Sequence, residues 1–223
     1  MGSMIELRAA DGFTLSAYRA APTGASKGGL VVIQEIFGVN HHIRNVADRF
    51  AGLGYTAVAP ALFDRAERGI DIGYDEASVN RGVKLRASIK LEDTLLDVAA
   101  AIRSIEDAGK IAVIGYCWGG SLAFLAATRL SGIACAVGYY GGMIAAHVQE
   151  KPKVPVLLHF GEHDHGIPMA DVKKVIAARP DIQVFTYNAG HGFSCDERAS
   201  FDKASHERAL ERTLAFLKRN LGA

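Results

Sequence analysis

The fold is decided by the stretch Ala112-Val113-Ile114-Gly115-Tyr116-Cys117-Trp118-Gly119-Gly120-Ser121. An apolar, β-prone run leads into a single cysteine with glycine two residues away on either side, and a helix-compatible stretch follows. Strand, Gly-x-Cys-x-Gly, helix is the pattern of a nucleophile elbow with cysteine in the place of serine. The glycines have a steric reason. A nucleophile on a tight strand-to-helix turn sits in strained backbone, and its neighbours across the turn have no room for side chains. The helix N-terminus then faces the reaction centre, where its unpaired N–H groups favour a thiolate and, through the N–H of Trp118, an oxyanion. Cys117 read as a small buried hydrophobe at a strand end accounts for the thiol alone, and the residues downstream decide against it.

Outward from this stretch, β-rich runs alternate with helical patterns. Strands are expected at Gly29 to Gln34, Tyr55 to Ala59, Ile111 to Ile114, Ile133 to Tyr139, Val154 to Phe160 and Ile182 to Tyr187. Most are apolar throughout, as strands covered on both faces are, which predicts a parallel sheet. Helices are expected near His42 to Gly52, Ile89 to Asp107, Gly119 to Arg129, Met169 to Ala178 and Ser200 to Asn220. Leu91, Leu95, Val98, Ile102 and Ile105 give the second of these one core-facing stripe. Such alternation predicts a βαβ architecture, and Asp11-Gly12 between Ile5 to Arg8 and Thr14 to Arg19 predicts an antiparallel hairpin at one edge. The charged segment Phe63 to Ser88 is read as a long loop with a short helix, of the kind that often serves function.

Elbow enzymes carry the acid and the histidine after the nucleophile, in that order. Asp164, in Gly161-Glu162-His163-Asp164-His165-Gly166, and His191, in Ala189-Gly190-His191-Gly192-Phe193, each lie in a glycine-bearing loop just past a predicted strand. Open α/β sheets place their chemistry there. Asp164 would fix the imidazole tautomer, and His191 would act as base and acid. The Gln34 to Asn40 segment follows the strand that supplies the second oxyanion donor, which assigns the N–H of Ile36 beside that of Trp118. Glu35 is a carboxylate at the end of an apolar strand, costly there unless paired or working.

At 223 residues and 49% hydrophobic content, the chain can bury a substantial core as one domain. Residues 1–3 read as a cloning remnant, leaving 4–223 as the domain. Lys and Arg number 25 against 24 Asp and Glu, so no strong field points to nucleic acid or to an anionic membrane, and a small molecule is the expected partner. No apolar run is long enough for a membrane span and no secretory leader is visible, so a cytoplasmic protein is expected. The thiols of Cys117, Cys135 and Cys195 are too few and scattered for a disulfide framework. Cys135 is read as core and Cys195 as the more exposed of the two. Histidines 41, 42, 163 and 165 raise a metal site, but adjacent ligands on one loop seldom face one ion, and no metal is expected.

The segments QEIFGVN, GYCWGG, VGYYGG, GEHD and AGHGF, in this order across nearly the whole chain, resemble the dienelactone hydrolases (carboxymethylenebutenolidases). The resemblance implies an α/β-hydrolase fold and cofactor-free hydrolysis of a cyclic enol-lactone to a keto acid in aromatic degradation. A monomer or small homo-oligomer is expected. It also implies that Glu35 contacts the resting Cys117 and helps to activate it once substrate is bound. Relatives acting on dienelactone hold its carboxylate with two arginines. One position here is Cys195, with Arg198 three residues on, and Arg81 is favoured over Arg86 for the other. Phe37, Arg81 and Arg198 are the candidate substrate contacts. An uncharged ester or thioester, or a non-catalytic ligand-binding role, is the alternative.

Overall fold

The computed structural model describes residues 1–222, so Ala223, the last residue of the expected domain, lies outside it. Among the described residues, β1 (Ser3–Arg8), β2 (Thr14–Ala20), β3 (Gly29–Ile33), β4 (Thr56–Pro60), β5 (Ile111–Tyr116), β6 (Cys135–Tyr139), β7 (Val156–Gly161) and β8 (Gln183–Tyr187) join in one sheet of order β1-β2-β4-β3-β5-β6-β7-β8. The neighbours from β4 through β8 run parallel, and β1 and β2 form the expected antiparallel edge. Every residue of β3, β4, β5, β6 and β7 is buried, as their unbroken apolar runs require. Ser3 pairs with Arg19 in β1, and the Gly2 N–H donates to the Tyr18 hydroxyl at 2.8 Å. These N-terminal residues, set aside from the fold on sequence grounds, therefore take part in it.

The helices are α1 (His41–Gly52), α2 (Glu76–Ser88), α3 (Leu91–Arg103), α4 (Trp118–Arg129), α5 (Met169–Ala178) and α6 (Lys203–Leu221). In α3, Leu95, Val98 and Ile102 are buried as the stripe predicts, each worth roughly 1.5–3 kcal/mol. The helix ends at Arg103, short of the expected Asp107, yet Ile105 stays buried beyond it. Asp97 is fully buried on α3, and the Arg65 guanidinium meets it with two bonds of 2.7 and 2.8 Å, which fastens the chain after β4 to this helix. Nearly every residue of α4 is buried, so this helix passes through the core.

The segment expected to be mostly loop contains a 13-residue helix, α2. Its only fully buried residue is Gly82, so it carries no apolar stripe that sequence could reveal. The Asp75 side chain caps it, accepting the Ser78 N–H at 2.9 Å. A Cβ on Gly82 would stand 2.0 Å from the Ile36 carbonyl oxygen, so glycine lets α2 lie directly on the loop after β3.

The sheet order determines where chemistry can sit. The chain leaves β3 for β4 on one side, then returns to pair β5 on the other side of β3. The C-terminal ends of β3 and β5 therefore border a topological switch point, where an open parallel sheet forms a crevice. Gln34 to Asn40 leave β3 there, and Cys117 leaves β5 there.

Candidate active site

Cys117 sits between β5 and α4 at φ 55° and ψ −116°, a left-handed conformation for a residue with a Cβ. Its N–H donates to the Tyr139 carbonyl at 3.0 Å, and its carbonyl accepts the Ser121 N–H at 3.3 Å. Glycines enforce the turn. A Cβ on Gly115 would lie 1.9 Å from the Gly119 carbonyl oxygen, and one on Gly119 would lie 2.4 Å from the Ile33 carbonyl oxygen. Gly119 also donates its N–H to the Gln34 carbonyl at 3.1 Å, which ties the start of α4 to the end of β3. Gly115→Ala is expected to cost at least ~2–3 kcal/mol, because backbone and not a flexible side chain must yield. Urea unfolding at unchanged m-value measures it, and a wild-type midpoint would refute this account of the elbow.

Two of the three expected triad residues are bonded to each other. His191 Nδ1 donates to Asp164 Oδ2 at 2.6 Å. The other carboxylate oxygen, Oδ1, accepts the N–H groups of Gly166 at 2.8 Å and Ile167 at 3.1 Å, so Asp164 is fixed from both sides. Burial works against a charged His191, but the bonds and charge of Asp164 and the neighbouring Cys117 thiol outweigh it and raise the imidazole to about 10. The Tyr140 ring packs on His191 with centroids 5.0 Å apart, and Tyr140 itself has φ 40°. This tyrosine belongs to the VGYYGG segment, and its non-glycine left-handed backbone shows only in three dimensions.

Ile36, on the loop after β3, and Trp118, the first residue of α4, are the two expected oxyanion donors. Neither N–H is taken by a backbone acceptor among the described residues. The Trp118 indole stacks on Phe63 at 5.4 Å, which secures the helix start.

Glu35 is buried, and its Oε1 accepts from Arg198 Nη1 at 3.1 Å. The resemblance implies a contact with the resting thiol; here Arg198 holds Oε1, and Oε2 has no hydrogen-bond partner among the described residues. The Arg198 guanidinium crosses Gly192, whose φ is +76° and whose Cβ, if present, would lie 2.7 Å from Nη1. It also lies 5.7 Å from the ring centres of Phe37 and Tyr74. Phe37 is buried with its ring edge-on to Tyr74 at 4.6 Å, so it forms the wall behind Arg198 and presents little to solvent.

Arg81 lies on α2 with its guanidinium ion-paired to Glu67, both side chains about half exposed. One expectation needs correction: Cys195, expected to be more exposed than Cys135, is fully buried, and burial beside the Glu35 carboxylate pushes its thiol up to about 12. Cys135 is core, as expected. His163 turns away to Asn188, with Nε2 2.6 Å from Oδ1, so the histidines of that loop do not converge. An apolar cavity of about 280 Å³ between α1 and α6, lined by Val46, Phe50, Leu53, Tyr116 and Leu210, contains none of the triad. No helix among the described residues is long and apolar enough to cross a membrane.

Residues 15–221 match the model of the dienelactone hydrolase family. A carboxymethylenebutenolidase of Pseudomonas putida is 34% identical over 224 residues, covering 96% of this chain and 94% of its own. Carboxymethylenebutenolidase 1 of Cupriavidus pinatubonensis is 30% identical, covering 96% and 95%. A protein of Klebsiella pneumoniae solved as a candidate dienelactone hydrolase superposes with a TM-score of 0.82 at 27% identity, over 96% of this chain and 98% of that one. The elbow, the parallel sheet and these likenesses coincide over nearly the whole length: the chain belongs to the dienelactone hydrolase family and is a hydrolase of ester or lactone bonds.

Proposed function

We propose that the protein hydrolyses a small carboxylate-bearing enol-lactone with Cys117 as nucleophile, through an acyl-thioester. The observation that carries this reading is the 2.6 Å bond from His191 to a doubly anchored Asp164, opposite a cysteine held at φ 55°. The thiol proton passes to His191, whose charged form Asp164 stabilises, and the thiolate attacks the carbonyl carbon. The N–H groups of Ile36 and Trp118 receive the oxyanion. When the ring C–O bond breaks, His191 returns the proton to the leaving oxygen. It then takes a proton from water, and the resulting hydroxide displaces the thiolate from the acyl group.

Glu35 and Arg198 give the substrate its own part in activation. While they are paired, the carboxylate is held off the thiol. A substrate carboxylate reaching Arg198 competes for the guanidinium and frees Glu35 to turn toward the thiol and polarise its S–H while His191 takes the proton.

The test compares kcat/KM for a carboxylate-bearing dienelactone and an uncharged aryl ester of similar size, in wild type and in Arg198→Gln. The expected result is preference for the anion, with Arg198→Gln costing it about 10–100-fold more than the neutral ester. The neutral ester also reports any damage from leaving Glu35 unpaired. Preference for the neutral ester in wild type would overturn the dienelactone reading in favour of a carboxylesterase or thioesterase using the same triad.

A further inference from the structure

Behind the pair formed by Glu35 and Arg198 lie two groups, His42 and Cys195, that the proposed hydrolysis does not use, and they meet Glu35. A carboxylate oxygen of Glu35, a ring nitrogen of His42 and Cys195 Sγ lie within 4.8 Å of one another, and all three residues are buried. Two of the groups are left with unspent capacity. Among the described residues, Glu35 Oε2 and His42 Nε2 are buried without any hydrogen-bond partner. Orphaned buried polar atoms are costly and rare, and two from separate elements that meet beside a thiol point to a missing common partner.

The surroundings of His42 support this. Its Nδ1 donates to Asp196 Oδ1 at 3.1 Å, which fixes the tautomer and leaves Nε2 as the lone-pair nitrogen. A carboxylate behind a histidine in this way is the usual outer support of a metal-bound imidazole. Arg49 pairs with the same carboxylate at 3.2 Å, so Asp196 is held in turn. On the other side, Arg198 occupies Glu35 Oε1 and leaves Oε2 open.

We propose that Glu35, His42 and Cys195 form a buried inhibitory site for a divalent transition ion, Zn²⁺ above all. A thiolate, an imidazole and a carboxylate are the donors zinc takes in tetrahedral sites, whereas Mg²⁺ and Ca²⁺ require oxygen ligands. With zinc distances of about 2.0–2.3 Å, tetrahedral donors stand roughly 3.3–3.7 Å apart, so closure asks about an ångström of movement. Binding releases the Cys195 thiol proton to solvent, since the thiolate is the ligand. The ion adds two positive charges against one carboxylate and one thiolate, and water takes the fourth position. An ion there holds Glu35 in place and denies it to Cys117. That consequence rests on the activating role proposed for Glu35, but binding itself does not.

The decisive measurement is a Co²⁺ titration of reduced, chelator-treated Cys117→Ala protein, followed by its near-ultraviolet thiolate-to-cobalt absorption. One Co²⁺ per chain is expected, displaced by Zn²⁺, with the band absent in the double variant Cys117→Ala/Cys195→Ser. Asp196→Asn should weaken binding about 10–100-fold. His42→Gln should abolish it with circular dichroism unchanged, which keeps the test valid if the serine variant does not fold. In wild type, Zn²⁺ should lower kcat/KM and a chelator should restore it. A band that survives Cys195→Ser, a band that requires Cys117, or no stoichiometric binding would each overturn the site. Binding without inhibition would refute the consequence for Glu35 and leave the metal site standing.

Discussion

Replacing Cys117 by alanine should lower kcat/KM by on the order of 10⁶-fold and leave the melting temperature near that of the wild type. The magnitude is that of removing a nucleophile from a triad, where the remaining members have nothing to act through. The preserved fold follows from the elbow. The φ of 55° at position 117 is imposed by Gly115 and Gly119, whose Cβ positions are filled by backbone, and by the bond from the Cys117 N–H to Tyr139. Alanine meets the same strain as cysteine. Stopped turnovers of wild type with a slow substrate should show an acyl adduct on Cys117 by mass spectrometry, absent from the variant. Wild-type turnover in Cys117→Ala would remove the thiol from the reaction.

Asp164→Asn should cost about 10⁴-fold in kcat with little change in structure. The Oδ1 position keeps its bonds from Gly166 and Ile167, so the side chain stays oriented, but an amide N–H₂ then faces His191 Nδ1. The imidazole must turn Nδ1 into an acceptor, which places its proton on the side that faces the thiol. Stability should register the same change. His191 is raised to about 10 in the folded protein against an ordinary value near 6.5, so its protonated form contributes stability below pH ~6.5. That contribution drains away as pH rises toward 10. Urea midpoints measured from pH 6 to 10 should therefore fall for wild type and stay flatter for Asp164→Asn. Parallel profiles would mean that Asp164 does not hold the imidazolium.

The sheet was legible because burial on both faces leaves unbroken apolar runs, and the candidate triad stood out because its members follow strand ends in a fixed order. What escaped reading shared one physical cause: the deciding contact was remote in sequence. Helix α2 shows no apolar stripe, since it docks through one glycine against the Ile36 carbonyl. Cys195 looked like a loop residue because nothing local reveals that Tyr74 and Glu35 stand beside it. Arg198 was a plausible clamp for substrate, and only the folded chain brings Glu35, 163 residues away in sequence, onto its guanidinium. The charged surface of α2 offered Arg81 as a second clamp, and its pairing with Glu67 is likewise a matter of tertiary position.

The elbow also bears on which exchanges position 117 accepts. Its backbone demands fall on the flanking glycines and on carbonyls of β3 and β6, and none falls on the side chain at position 117. Conformation and side-chain identity are thus written in different residues. Cys117→Ser therefore exchanges sulfur for oxygen without rebuilding the turn.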